Sequence, residues 1–159
     1  MHPQTIASAK SLAAAFWRRE FWSNEATRLS VFRQQLSMLV AELRAAVSEI
    51  NHEIKPSASM VFEPSVAFTV TLHEQPTDAP IAACHLNANS PGTVELKFVA
   101  RGFDESEQRW RVDTVDIKVY GWTNGTETLA VQQLAASIIH RLVDVGAAVI
   151  CRETTVMPI

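Results

Sequence analysis

The stretch EATRLSVFRQQLSMLVAELRAAVSEINHEIKP, residues 25–56, decides how this chain is read. Leu29, Leu36, Leu43 and Ile50 recur every seven residues, and Phe32, Leu39 and Ala46 follow the first three at a spacing of three. Val40, Val47 and Ile54 widen the row into the apolar stripe of an amphipathic helix. Ser23 or Asn24 is placed to cap it, and Glu25 puts a negative charge at the positive end of its dipole. Lys55-Pro56 ends it, because the residue before a proline is pushed out of the helical region. A helix of about 30 residues is about 45 Å long.

On the N-terminal side, Ile6, Ala9, Leu12, Ala13 and Phe16 share one face of a first helix expected from Thr5 to about Phe21. On the C-terminal side the apolar spacing changes from helical to alternating. Val66, Phe68, Val70 and Leu72 form one inward row, Ala82, Cys84, Leu86 and Ala88 a second, and Val94, Leu96, Phe98 and Ala100 a third. Ser90-Pro91-Gly92-Thr93 reads as a type II turn. A two-residue loop there would set inward Ala88 opposite outward Glu95, so a longer loop or a bulge is expected. After a polar loop at 102–108, a fourth strand is expected from Arg109 to Tyr120. Its inward row moves from Trp110 and Val112 to Val115, Ile117 and Val119, a change of parity that calls for a bulge near Asp113-Thr114. A last helix capped by Thr126 carries Val131, Leu134, Ala135, Ile138, Leu142 and Val145 and closes at Gly146.

The expected fold is therefore α+β in a single domain, 1–159. It has a helical hairpin over 1–55, a four-stranded antiparallel meander over 56–125 and a C-terminal helix over 126–147 packed on the sheet. Strands of about nine residues are about 30 Å long, shorter than the long helix. The row Leu29, Phe32, Leu36, Leu39, Leu43, Val47 and Ile50 is therefore expected to overhang and to meet a second copy of itself.

Composition narrows the function. The chain has 159 residues, 47% apolar and 19% charged, with a net charge of -3 and two cysteines, Cys84 and Cys151. That balance excludes a disordered chain and a disulfide scaffold. Residues 1–55 carry +2 and residues 56–159 carry -5, which makes no case for nucleic acid. The order of charge, apolar run and cleavage site of a signal peptide is missing. The uncharged run Thr128 to His140 is too short to span a bilayer. The expected setting is cytoplasmic, with no membrane partner.

Candidate chemistry is sparse. The five histidines, at 2, 52, 73, 85 and 140, include no pair at i, i+4, and Cys84 and His85 point to opposite faces of a strand. No metal site or cofactor is expected. Glu95-Leu96-Lys97 on its strand, with Asp78 upstream, resembles the metal-binding strand of restriction-endonuclease-like nucleases. The resemblance covers a few residues and implies an acid holding Mg²⁺ beside a lysine that assists the attacking water. That family places a helix after this strand, whereas a loop and another strand follow here. Glu-x-Lys is also what the wet face of a half-exposed strand shows, with Asn87 near Glu95 and His85 near Lys97. Trp17, Arg18, Arg19 and Trp22 combine the residue types enriched at binding surfaces and also suit a helix corner. Phe68, Phe98, Trp110 and Trp122 would line a pocket between sheet and last helix. The reading that follows is a non-enzymatic module that self-associates. The alternatives are a binder of another protein or of a small apolar ligand and, more remotely, a Mg²⁺-dependent nuclease.

Overall fold

Asn24 is the only residue between the first two helices, and it serves both. Its N–H donates to Glu20 O at 3.0 Å, closing α1 (Pro3–Ser23), and its Oδ1 accepts from Thr27 N at 3.0 Å, opening α2 (Glu25–Ile54). The structure, a computed structural model, describes residues 2–65, 67–90 and 92–156. Seven antiparallel strands follow in sequence order as a continuous meander: β1 (Ala58–Glu63), β2 (Thr69–Glu74), β3 (Ala79–Ser90), β4 (Thr93–Ala100), β5 (Phe103–Asp116), β6 (Val119–Thr123) and β7 (Thr128–Leu129). The chain ends in α3 (Val131–Val156). The fold is α+β with N-terminal helices, an antiparallel sheet and a C-terminal helix, but the sheet has seven strands rather than four.

Each extra strand has a local cause. In β1, Ala58, Met60 and Phe62 alternate with Ser59, Val61 and Glu63, but only Met60 is fully buried, so the pattern is faint. The edge is held from α2. Asn51 Oδ1 accepts from Met60 N at 2.7 Å and Asn51 Nδ2 donates to Met60 O at 2.9 Å, so a side-chain amide stands in for a neighbouring strand. The expected loop at 102–108 shrinks to Arg101-Gly102, with Gly102 at φ 78, and β5 begins at once. The expected fourth strand folds back on itself after Asp116. Lys118 adopts φ 58, and Asp116 pairs with Val119 to start β6. The extra residue inferred from the parity change exists, between Thr114 and Asp116. Its consequence is the reverse of the one expected: Val115, Ile117 and Val119 are 51%, 43% and 53% exposed. Asn124-Gly125-Thr126 is a turn, with Asn124 Oδ1 accepting from Thr126 N and Glu127 N at 3.0 Å each. Thr126 caps no helix, because 128–129 pair with Trp122 and Thr123 as β7.

The β3–β4 register matches the sequence reading. Ser90 pairs with Thr93, an irregularity between Asn87 and Ser90 absorbs the parity mismatch, and Gly92 takes φ 87. Pro91, at the centre of that turn, and Val66, at the head of the first inward row, lie outside the described residues.

An odd number of strands makes β7 run with β1, so α2 and α3 both run against these and parallel to each other on one face of the sheet. Between the layers lie Leu39, Leu43, Val70, Cys84, Val94, Val112, Trp122 and Leu142, each with no solvent exposure. Gly146 does not end α3; the helix continues past it and passes so close to Leu72 that a Cβ would overlap that side chain. The uncharged run judged too short for a bilayer therefore belongs to a longer helix. The most apolar 18 residues within Val131–Thr154 have a mean hydropathy of 1.7, and the helix is long and apolar enough to cross one, yet its buried row is packed on the sheet.

The α2 row expected to face a second copy is covered within the chain. Phe32, Leu39, Leu43 and Val47 are buried, Leu36 and Ile50 pack against the same core, and Leu29 is half-buried. The added strands and the first half of α3 supply the cover, with Phe32 against Trp122 of β6 and the end of the row against Ala136, Ile139 and His140. The third helix does not share this face throughout. α1 diverges from α2 at Asn24 and packs by its C-terminal half against β5 and β6, with Phe21 5.8 Å from the Tyr120 ring.

Candidate functional site

The helix corner positions the predicted patch, and each member has a structural partner. Arg18 donates from Nη2 to Thr114 O at 2.7 Å and from Nε to Thr114 Oγ1 at 3.2 Å, with Asp113 3.5 Å away. Trp22 Nε1 donates to Asp113 Oδ1 at 3.1 Å, and the guanidinium groups of Arg28 and Arg111 lie over its ring at 5.8 and 5.5 Å. The Lys118 ammonium sits 5.6 Å from the Trp17 ring, and Arg19 lies over Phe16 at 4.9 Å. Trp17, Arg18 and Trp22 therefore clamp α1 to the β5–β6 hairpin, the corner role, with Arg18 still 46% exposed, whereas Arg19 is exposed against Phe16 of its own helix.

The consequence lies beyond the clamp. α1 is one continuous helix, and residues 3–12 are exposed without exception. His2 Nδ1 accepts from Gln4 N at 3.1 Å, and Pro3 occupies the first turn, where its missing N–H costs nothing. The stripe read from the sequence survives as an exposed one: Ile6 is 43%, Leu12 60% and Phe16 49% exposed. Val115, Ile117 and Val119, on the hairpin that Arg18 and Lys118 tie to α1, are exposed as well. The α1 arm carries Lys10, Arg18 and Arg19 and no acid before Glu20.

A second feature follows one side of α3 as two hollows. A hollow of about 290 Å³ is lined by Ala46, Glu49, Ile50, Glu53, Ala136, Ile139 and His140. Another, of about 320 Å³, is lined by residues that include Ile54, Leu72, Val143, Gly146, Ala147 and Ile150. The two share no residue but follow one another along the same side of α3: the first lies against α2, and the second, at the end of α2, lies against Ala58, Leu72 and Ile81 of β1–β3. The pocket expected from Phe68, Phe98, Trp110 and Trp122 is instead filled core. Phe98, Trp110 and Trp122 are buried, Phe32 packs edge-on against Trp122 at 6.1 Å, and Phe68 lies at the margin against Phe62.

The outer face of the sheet pairs Asn87 with Glu95 and His85 with Lys97, as the register predicts. Glu95 is engaged by Arg109 at 2.8 Å, and Lys97 stands opposite Glu107. Asp78 lies in the β2–β3 turn, 3.8 Å from His73 and nine positions along the chain from Asn87. At about 3.3 Å per residue that places it some 25–30 Å from Glu95, too far to share a metal ion. Among the described residues no three His, Cys, Asp or Glu side chains converge. Burial pushes the Cys84 thiol up to about 12, only partly countered by the charge of Arg141, so it stays protonated and inert. Arg101 binds Glu153 at 2.7 Å and Glu74 at 3.3 Å, which raises its pKa and ties the end of α3 to the sheet.

The arm was legible as an amphipathic stripe, but its exposure was not, because that depended on strands the alternation did not reveal. Comparison with protein-family models, with curated proteins and with solved structures finds no match to this chain.

Proposed function

We propose that this protein is a non-enzymatic association module whose partner is a second copy of itself, with α1 rather than α2 as the contact element. The observation that supports this is the exposed stripe Ile6, Leu12 and Phe16 on a helix anchored only at its other end. A helix of ten or so residues is marginal on its own in water, and an uncovered apolar stripe on it is stabilised by a partner. Together with Val115, Ile117 and Val119 the stripe offers roughly 500–600 Å² of apolar surface per copy, against about 800 Å² per partner in a standard stable interface. The experiment is light scattering on the wild type and on Leu12→Glu/Phe16→Glu. The wild type is a dimer and the variant a folded monomer; a monomeric wild type overturns the proposal.

A second reading, a carrier of small aliphatic molecules, draws on the nearly all-aliphatic lining of the 320 Å³ hollow, whose size lies at the lower end for ligand sites. It predicts saturable binding of a fluorescent fatty-acyl probe, lost in Ala147→Trp.

A further inference from the structure

We propose that the groove along α3 of one copy, walled first by α2 and then by β1–β3, receives the α1 arm of the other, so that two copies exchange arms. The inference rests on self-association through α1 and adds where the arm lands. α1 is a single helix held at its C-terminal end by Arg18, Phe21 and Trp22, so its arm cannot fold back onto its own chain, and its stripe is available only to another molecule.

Length, shape and charge agree. From Pro3 to Phe16 the arm is about 20 Å long, and from Ala136 to Ile150 the groove follows α3 for about 21 Å. The arm carries apolar side chains at 6, 9, 12, 13 and 16 on one side. The apolar part of the groove's lining is small or aliphatic, with Ala46, Ala136 and Ala147 among it, which leaves room for a helix to lie along α3. The arm is basic, with Lys10 at its middle, and the charged side chains on the α2 rim of the groove, Glu49 and Glu53, are acidic. Exchange is reciprocal: each arm fills the other copy's groove about a two-fold axis, which closes the assembly at two.

Cys151 lines one end of the groove and is exposed, while Cys84 is buried. Ile6→Cys and Phe16→Cys, each in the otherwise native chain, are treated with a short bis-maleimide. One of the two gives a covalent dimer that disappears when Cys151→Ser is added. In a second test Lys10→Glu weakens association about three- to fivefold, and Glu49→Lys in the same chain restores it. A dimer by light scattering that gives no bridge to Cys151, or that bridges arm to arm and survives Cys151→Ser, overturns the groove placement and leaves self-association standing. A monomeric wild type overturns both.

Discussion

Leu43 is the residue at which the two roles of α2 make opposite predictions. It has no solvent exposure and sits in the row that packs between the sheet and α3. Leu43→Ala removes its apolar surface from the core and leaves a cavity, at a cost of about 2–5 kcal/mol. For a chain of this size each kcal/mol lowers Tm by about 2–4 °C, so a loss near 3 kcal/mol lowers it by about 6–12 °C. The assay is urea denaturation followed by circular dichroism, paired with light scattering at the same protein concentration. The midpoint should fall at unchanged slope, and the mass of the folded protein should not change. Leu12→Ala, at a side chain 60% exposed, provides the contrast: monomer stability within about 0.5 kcal/mol and weaker association. If Leu43→Ala instead halves the mass and leaves the folded stability intact, α2 faces a second copy and the placement of its stripe in the core is refuted.

Two other consequences are independent of oligomeric state. Asn51→Ala strips the N–H and C=O of Met60 of their partners on the β1 edge, at a cost of about 1–3 kcal/mol, and hydrogen exchange at the Met60 amide should accelerate before that in β3 or β4; equal acceleration throughout would show that Asn51 does not hold the edge locally. Cys84 sets an alkaline limit. Its thiol ionises near 9.0 when unfolded and is pushed up to about 12 when folded, so its contribution is complete below pH 9 and is lost as pH rises through 9 toward 12, by about 1.4 kcal/mol per pH unit. Wild type should lose stability between pH 8 and 10 by about 1 kcal/mol more than Cys84→Ala, and parallel pH profiles would contradict this.

The readable parts of the chain were those whose local chemistry and tertiary role agree. α2 carried a cap, a continuous stripe and a proline stop, and all three hold. β3 and β4 carried clean alternation and a glycine turn, so even their register and its irregularity could be read. The β5–β6 hairpin was hidden because its turn uses Ile117 and Lys118, with Lys118 at positive φ where glycine or asparagine is the usual signal. Gly146 misled in the opposite direction. Glycine near the end of a helical pattern reads as a C-terminal cap, whereas here it clears the approach of α3 to Leu72. The hidden strands bear on which stripe is covered: Met60 of β1 and Trp122 of β6 pack under the α2 row, and the stripe left exposed is that of α1. The Trp17–Trp22 cluster was visible as a patch, but only the positions of Asp113 and Thr114 show it to be a clamp.

The most direct test is the mass of the purified protein by light scattering across a hundredfold concentration range, for the wild type and for Leu12→Glu/Phe16→Glu. The account predicts a dimer of about 35 kDa from the 17.6 kDa chain and a folded monomer for the variant, with unchanged circular dichroism. A wild type that remains at the monomer mass throughout, or a variant that remains dimeric, contradicts it.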